Sequence, residues 1–263
     1  CFRFDEMAHN HPHDFTKTQS NKKPRWSGLF RSRETQVRKH TTIGTSEGGT
    51  MPRQAICQFA TELEIPYLLH FTRAVNLPSI MEHGIYPIAR VDEIDAEPQI
   101  NDQHRLDGRL NGISISIAHP NCQMLYKYRM DDESVDWAML VLKRSTLWQK
   151  ECAFCRHNAA DARISRQPIE ALTTEAAFRG MFDEIDGVTS RAEQKLKVYD
   201  PTDVQAEVMV FGIIEPEYIG GIVFNSRGAK DAYSHLLAEE QKAWLHAKNK
   251  GLFGTRSYSR LYS

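Results

Sequence analysis

The stretch Asp200-Pro-Thr-Asp-Val-Gln-Ala-Glu207-Val-Met-Val-Phe211 is the most informative part of the chain, because a polar turn becomes a hydrophobic strand within it and places one carboxylate at the transition. Its apolar residues alternate between two faces, with Val208, Val210 and Ile213 on one and Met209 and Phe211 on the other. A run buried on both faces is typical of a central strand. Glu207, at the start of this strand, is a costly desolvated carboxylate, a group kept for chemistry, or an ordinary solvent-facing glutamate.

The composition is that of a globular protein. The chain has 263 residues, of which 41% are hydrophobic and 25% charged, and this suits one globular domain with some residues outside it. No apolar run approaches the roughly eighteen residues that span a bilayer, and the first residues lack the apolar centre of a secretory signal. Five scattered cysteines, an odd number, favour reduced thiols in a cytoplasm over a disulfide framework.

Charge is unevenly distributed along the chain. Residues 1–50 hold nine Lys and Arg against five Asp and Glu, whereas the remainder holds twenty-four against twenty-nine. The charge of the main domain therefore gives no support to nucleic-acid binding, and such binding would need a local basic patch.

The first fifty residues differ from the rest. They contain four histidines, few aliphatic residues and no helical or strand periodicity, so they bury too little apolar area to offset their ordering entropy. We expect a domain over residues 51–263, preceded by a disordered tail or by translation of upstream non-coding sequence. Met51 is a plausible start, and codons for Glu47-Gly-Gly-Thr50 can spell a ribosome-binding site.

A strand followed by a helix is predicted near residues 66–84. His70 lies near the end of the strand, Asn76 suits a helix N-cap with Pro78 in the first turn, and Gly84 ends the helix. His70 and Thr72 leave the same face of the strand, which suits two groups that grip one ligand. A satisfied core histidine and a purely capping Asn76 are the plain alternatives.

Downstream, a long polar loop over residues 89–112 leads to a strand over residues 113–117. Long loops in compact domains are usually functional or mobile. The strand alternates isoleucine with serine, so Ser114 and Ser116 face a polar volume. The helix that begins at about residue 125 mixes Tyr126 and Tyr128 with basic residues, a combination that can stack a ring and pair with a phosphate, or simply pack.

The remaining segments carry less chemistry. Residues 137–142 and 222–224 read as strands, and a helix is expected over residues 229–248. Cys152, Cys155 and His157 suggest a zinc site, but no second CxxC or HxxxH pair completes it, so no metal is expected.

Five blocks in the same order resemble the DarT family, the toxin half of DarTG toxin–antitoxin pairs. Members of this family are ADP-ribosyltransferases that use NAD to modify bases in single-stranded DNA. The resemblance spans about residues 65–225. The blocks are His70-Phe-Thr72 with Asn76-Leu-Pro-Ser-Ile, Arg105-Leu-Asp-Gly, Ser114-Ile-Ser-Ile-Ala-His-Pro-Asn121 with Met124-Leu-Tyr-Lys-Tyr-Arg129, Phe154 to Asn158-Ala-Ala160, and Gln205-Ala-Glu207.

The resemblance implies an α+β, ADP-ribosyltransferase-like fold with two small packed β-sheets, flanking helices and an NAD cleft between the sheets. It implies catalytic roles for Glu207 and Arg105, although Arg109 is only four residues from Arg105. The residues expected to bind NAD are His70, Thr72, Asn76, Arg105 and Tyr126. The residues expected to contact nucleic acid are Arg156, His157, Arg163 and Arg166.

The partners implied are single-stranded DNA as substrate and a macrodomain antitoxin, with NAD as the second substrate, no metal and no membrane. Three alternatives stay open from the sequence. In the first, ADP-ribose is transferred to RNA instead of DNA. In the second, it is transferred to a protein or a small molecule. In the third, the chain is a nucleic-acid-binding module without catalysis.

Overall fold

The structure is a computed structural model, which describes residues 50–95, 97–100 and 108–261. Residues 1–49 and Arg105 lie outside the described residues, so the expectations for the tail and for that arginine stay predictions. None of the helices in the described ranges is long and apolar enough to cross a membrane.

The described chain alternates short strands and helices. The strands are β1 Leu68–Arg73, β2 Gly112–Ile117, β3 Trp137–Leu142, β4 Glu151–Cys155, β5 Glu207–Phe211, β6 Ile219–Phe224 and β7 Lys242–Leu245. The α-helices are α1 Thr50–Glu62, α2 Leu77–His83, α3 Cys122–Asp131, α4 Thr146–Gln149, α5 Ala162–Ser165, α6 Ile169–Leu172, α7 Glu175–Gly180, α8 Arg227–Tyr233 and α9 Arg256–Leu261. Short 3₁₀ helices, among them Ile88–Glu93, connect them.

The strands form one seven-stranded sheet in the order β4-β5-β2-β1-β3-β6-β7. Neighbouring strands are antiparallel except β6 and β7, which are parallel. A large apolar cluster and a smaller one pack on the sheet. A mixed sheet with helices packed on it gives the α+β class that the resemblance implied.

The central position of β5 is confirmed. Val208 and Val210 belong to the larger apolar cluster, whereas Met209 belongs to the smaller one and Phe211 packs against it. The strand is therefore buried on both faces, between β4 and β2. The expectation for Ile213 was wrong, because the strand ends before it and the next isoleucine is fully buried in its place.

The sheet has two halves that are joined weakly. Only the pairs Leu68–Ile117 and Leu69–Ser116 connect β1 to β2, whereas the other adjacent strands are paired over at least four residues. The two separate sheets that the resemblance implied are thus β4-β5-β2 and β1-β3-β6-β7, joined edge to edge in one sheet. Beyond Leu69, β1 and β2 no longer pair, and a cleft opens between them.

The helix expected over residues 229–248 was wrong in its second half. Helix α8 ends at Tyr233, a 3₁₀ turn follows over Ser234–Leu236, and Lys242–Leu245 forms β7 beside β6. Hydrogen bonding to a neighbouring strand overrides local helical periodicity here, as tertiary context often does.

Candidate active site

The main cleft lies where β1 and β2 diverge and has an empty volume of about 1300 Å³, its open mouth included. Its walls come from both strands, from α2 and the loop that follows it, from the start of α3 and from residues 158–160. Most of the lining is apolar, and a few polar side chains converge on it, as in small-molecule sites generally. They include His70, Thr72, Asn76, Ser114, Asn158 and Glu207.

A tight backbone contact fixes the start of one cleft wall. Gly84 ends α2 with φ of +93°, and a Cβ at this position would lie 2.5 Å from the carbonyl oxygen of Ile214. Only glycine fits there. This close approach lets Ile85 pair with Ile214, and the chain then continues along the cleft wall.

Glu207 is the first residue of β5, lies opposite Cys155 of β4, and lines the cleft with only 6% of its surface exposed. Its Oε2 accepts a hydrogen bond from Ser114 Oγ, and its Oε1 accepts one from Asn158 Nδ2. Both carboxylate oxygens are therefore oriented by neighbouring donors. The structure rules out the plain interpretation of Glu207 as a solvent-facing glutamate.

The serines of β2 face the cleft, as their alternation with isoleucine predicted. Ser114 and Ser116 line the cleft, while the three isoleucines of the strand belong to the apolar core. Ser116 Oγ accepts a hydrogen bond of 3.2 Å from the backbone N–H of Asn121. The hydroxyls of β2 thus orient one carboxylate and the start of α3.

His70 and Thr72 both line the cleft from β1. His70 Nδ1 lies 2.9 Å from the carbonyl oxygen of Ser114. Since a carbonyl only accepts, Nδ1 carries the proton and donates. Continued pairing of β1 with β2 would place Phe71 opposite Ser114. The His70 side chain instead bridges the two strands where the backbone ladder has stopped.

Asn76 lies at the N-cap position of α2, as predicted, but its side chain makes no capping hydrogen bond. Asn76 Nδ2 donates to Thr72 Oγ1 and to the carbonyl of Gln99, both at 3.0 Å, and its Oδ1 accepts from the N–H of Gln99 at 2.8 Å. The capping explanation of Asn76 was therefore wrong. Its amide fastens the loop after α2 to β1 at the cleft wall.

Tyr126 does not reach the cleft. It is 57% exposed and absent from the lining, whereas Met124 and Tyr128 line the cleft. Residues two positions apart on a helix point to opposite sides, so Tyr126 and Tyr128 cannot both face the site. Tyr128 also stacks on Trp137, with ring centroids 6.2 Å apart and planes 14° apart. The spacing of four between Met124 and Tyr128 was the signal that sequence reasoning missed.

The arginines expected to contact nucleic acid lie outside the cleft lining, on the segment after β4. Arg163 forms an ion pair with Asp161, with two donors at 2.8 and 2.9 Å. Arg156 is half-buried and donates to a backbone carbonyl at 3.4 Å, and Arg166 is exposed. The local positive charge is therefore smaller than the sequence suggested, because Asp161 neutralises one of the three guanidinium groups.

His157 is not a surface group. Only 4% of it is exposed, and its Nδ1 lies 2.7 Å from Asp203 Oδ2. The prediction that His157 contacts nucleic acid was wrong, because the buried ring cannot reach a phosphate. The His157–Asp203 contact instead joins the end of β4 to the segment that leads into Glu207.

Arg109, the alternative to Arg105, lies apart from the main cleft. It lines a separate shallow depression, and its Nη2 donates to the carbonyl of Gln167 at 3.2 Å. The cysteine and histidine groups do not converge either. Cys152 and Cys155 pack in different apolar clusters, and no set of three or more His, Cys, Asp or Glu side chains in the described ranges is placed to hold a metal ion.

His119 is a buried histidine just after β2, 4% exposed, with Nδ1 3.1 Å from the carbonyl oxygen of Pro120. Burial, together with the positive charges of Arg260 and Arg256, lowers the pKa of His119 from 6.5 to about 4. In the folded protein this histidine is therefore neutral at pH 7.

The depressed pKa of His119 predicts acid sensitivity of the fold. The unfolded chain binds a proton near pH 6.5 and the folded chain only near pH 4, so stability is complete above pH 6.5 and falls towards pH 4. The free energy of unfolding is expected to fall by up to about 3 kcal/mol, because each unit of pKa shift corresponds to about 1.36 kcal/mol. Urea unfolding of wild type and His119→Asn at pH 7 and pH 4.5 measures this loss. Equal losses in the two proteins would contradict the prediction.

Comparison with known proteins adds a family match. A family model described as "ssDNA thymidine ADP-ribosyltransferase, DarT" matches residues 69–250, more than half of the chain. The match includes the strands that carry His70, Ser114 and Glu207. No curated protein matches the sequence.

The solved structures to which the chain is similar include three from two organisms. Thermosipho africanus DarTG in complex with ADP-ribose has a TM-score of 0.48 and 16% identity, over 68% of this chain and 49% of that one. Thermus sp. 2.9 DarT in complex with ADP-ribosylated ssDNA has a TM-score of 0.46 and 13% sequence identity to this chain. The same protein in complex with NAD+ has a TM-score of 0.43 and 12% identity. The two Thermus structures each cover 70% of this chain, and the matches span 95% and 96% of theirs. The chain thus spans about half the length of the DarTG structure and nearly all of the DarT structures.

Proposed function

The chain belongs to the DarT family, and from that premise we propose that it transfers ADP-ribose from NAD to a thymidine base of single-stranded DNA, releasing nicotinamide. The observation that carries the proposal is the placement of Glu207. This carboxylate lies at the start of a central strand, in the wall of the main cleft, with both oxygens oriented by donors.

The cleft suits NAD in its chemistry. Small-molecule sites are mostly apolar, with a few polar groups that orient the ligand. Here His70, Thr72 and Asn76 form one wall, on β1 and at the start of α2, and Glu207 belongs to the other. We assign the first three residues to holding NAD and Glu207 to the reacting ribose.

The reaction breaks the bond between the nicotinamide nitrogen and ribose C1, and nicotinamide leaves with the bonding electron pair. The ribose then has oxocarbenium-like character, as in glycoside hydrolysis. A ring nitrogen of the base attacks C1 and transfers its proton to the carboxylate of Glu207. Base assistance of this kind contributes roughly 10²–10⁴ in rate. Ser114 and Asn158 keep the carboxylate in one orientation during this transfer.

An unpaired strand is the easier substrate, because a duplex would require extrusion of the base at a cost of a few kcal/mol. Arg156, Arg163 and Arg166 would position phosphates of the strand without reading sequence. For Arg163 this requires release from Asp161. A toxin role in the cytoplasm, controlled by a macrodomain antitoxin and directed at phage, is also part of the proposal and rests on the family alone.

Asn76→Ala is expected to raise the KM for NAD about tenfold or more with a smaller change in kcat. The substitution removes the two hydrogen bonds to Gln99 and the one to Thr72, so the loop loses its attachment to β1. Steady-state nicotinamide release at varied NAD concentration measures both constants. A fall in kcat at constant KM would contradict the assignment of Asn76 to NAD binding.

The proposed function is tested by incubating the full chain with labelled NAD and, in parallel, single-stranded DNA, the same sequence as duplex, and the same sequence as RNA. Label on single-stranded DNA, with little on the duplex, is expected. Label on RNA alone would move the target to RNA. No label on any target, with nucleic acid bound and no affinity for NAD, would indicate a binding module without catalysis.

A further inference from the structure

The last helix of the described chain, α9, is fastened to residues 200–202, the segment that leads into β5 and Glu207. Asp200 and Thr202 are fully buried, and this segment is not part of a helix or strand. Buried irregular backbone needs hydrogen-bond partners from elsewhere in the chain. Two arginines of α9 supply them.

Arg260 holds the side chain of Asp200. Its Nε and Nη2 donate to the two carboxylate oxygens, each at 2.6 Å. A paired, planar contact of this kind fixes both distance and orientation. The carboxylate has no exposed surface, so removal of Arg260 leaves a buried charge without its main partner.

Arg256 holds the backbone that follows. It is 5% exposed, and it donates to the carbonyl of Pro201 at 2.6 Å and to the carbonyl of Thr202 at 3.0 Å. Arg191 adds contacts from the preceding loop, to the carbonyl of Asp200 at 2.7 Å and to Thr202 Oγ1 at 2.9 Å. Three guanidinium groups thus fix three consecutive residues.

Hydrogen bonds also constrain the chain between this segment and the carboxylate of Glu207. Asp203 is bound to His157 at 2.7 Å, its Oδ1 accepts from the N–H of Gln205 at 2.8 Å, and its carbonyl accepts from the N–H of Ala206 at 3.1 Å. Glu207 follows directly. A displacement of residues 200–202 is therefore transmitted along a constrained turn to Glu207.

The same C-terminal region also contacts α3, which forms another part of the cleft wall. Arg129 of α3 is 4% exposed and donates to the carbonyl of Phe253 at 2.8 Å and to Asn249 Oδ1 at 3.1 Å. Helix α3 carries Met124 and Tyr128 of the cleft lining. Residues 249–260 therefore connect α3 to the segment before Glu207.

We propose that Arg256 and Arg260 are positioning residues, which keep Glu207 aligned with the NAD cleft by holding residues 200–202. The proposal rests on the proposed function for its catalytic consequence. Both arginines lie beyond residue 250, where the family match ends, so the family model does not assign them a role. A misplacement of about 1 Å in an active site can cost roughly 10² in rate, so the expected effect is large although neither arginine lines the cleft.

The test compares Arg260→Gln and Arg256→Gln with wild type and with Lys248→Ala, using the full chain and a thymidine-containing single strand. Lys248 is the matched control because it directly precedes residues 249–260 but makes only an exposed ion pair, with Glu133 at 2.7 Å. Each arginine variant is expected to lower kcat about 10- to 100-fold, with the KM for NAD within about twofold of wild type. The control should match wild type. Unchanged kcat in folded arginine variants would overturn the proposal.

Conservative variants separate positioning from folding. Arg260→Lys keeps the positive charge beside Asp200 but cannot reproduce the paired contact, so its kcat should lie between those of wild type and Arg260→Gln. Arg260→Lys also replaces Arg260→Gln as the test variant if Arg260→Gln does not fold. Wild-type kcat in a folded Arg260→Lys would overturn the proposal.

Amide hydrogen exchange tests, without any measurement of catalysis, whether the two arginines hold residues 200–202 in place. In Arg260→Gln, or in Arg260→Lys if the former does not fold, amides of residues 203–207 should exchange at least tenfold faster, while those of β3 stay as in wild type. An unchanged exchange rate at residues 203–207 would overturn the proposal. If the wild type binds no NAD and labels no target, the proposed function fails, and the exchange data still decide whether the arginines hold this segment.

Discussion

Glu207→Gln is expected to lower the rate of ADP-ribose transfer by about 10²–10⁴-fold. The amide keeps the shape of the side chain and its capacity to hydrogen-bond with Ser114 and Asn158, which contact the carboxylate in the wild type. It cannot accept the proton of the attacking base. The fold should therefore survive while the chemistry is lost.

Single-turnover transfer from labelled NAD, combined with a melting curve, measures this effect. Glu217→Gln is a suitable control, because that glutamate is exposed and lies outside the cleft. A Glu207→Gln protein that retains most of its transfer rate would contradict the assignment. A large fall in melting temperature would instead make Glu207 a structural residue.

Asn158→Asp is expected to cause the second large loss, about 10²-fold or more in kcat. The substitution changes an N–H₂ group to an oxygen without altering the size of the side chain. Asn158 donates to Glu207 Oε1, so the variant places two carboxylates at hydrogen-bond distance. Two such groups cannot both be ionised at neutral pH, and Glu207 then no longer acts alone as the base.

The matched control for this substitution is Asn111→Asp, which makes the same chemical change at an exposed position outside the cleft. Transfer rates and melting temperatures of both variants are compared with wild type. Equal rates for Asn158→Asp and wild type would show that the Asn158 contact does not orient the catalytic carboxylate.

Local patterns in the sequence predicted the parts of the fold that depend on local physics. The apolar run after Glu207 predicted a strand buried on both faces, and the alternation after residue 112 placed Ser114 on the cleft side. Asn76, with a proline in the first turn and a glycine at the end, predicted the limits of α2. In each case a few neighbouring residues determine the outcome, so the sequence carries the signal.

The contacts that complete the site lie beyond such patterns. Asn76 binds a loop residue 23 positions away, and His157 binds Asp203 at a distance of 46 positions. These pairs depend on how β1 and β2 diverge and on how the segment before β5 packs, and neither has a periodic signature. For Tyr126 the signal was present, because helix geometry allows only one of two residues spaced by two to face the cleft.

The central claim is most directly tested by the intact mass of a single-stranded oligonucleotide with one thymidine, after incubation with NAD and the full chain. The account predicts a mass gain of one ADP-ribosyl group, located on the thymidine base by fragmentation. It predicts no gain on the same strand with deoxycytidine in place of thymidine. An unchanged mass, or equal modification of the thymidine-free strand, would contradict the account.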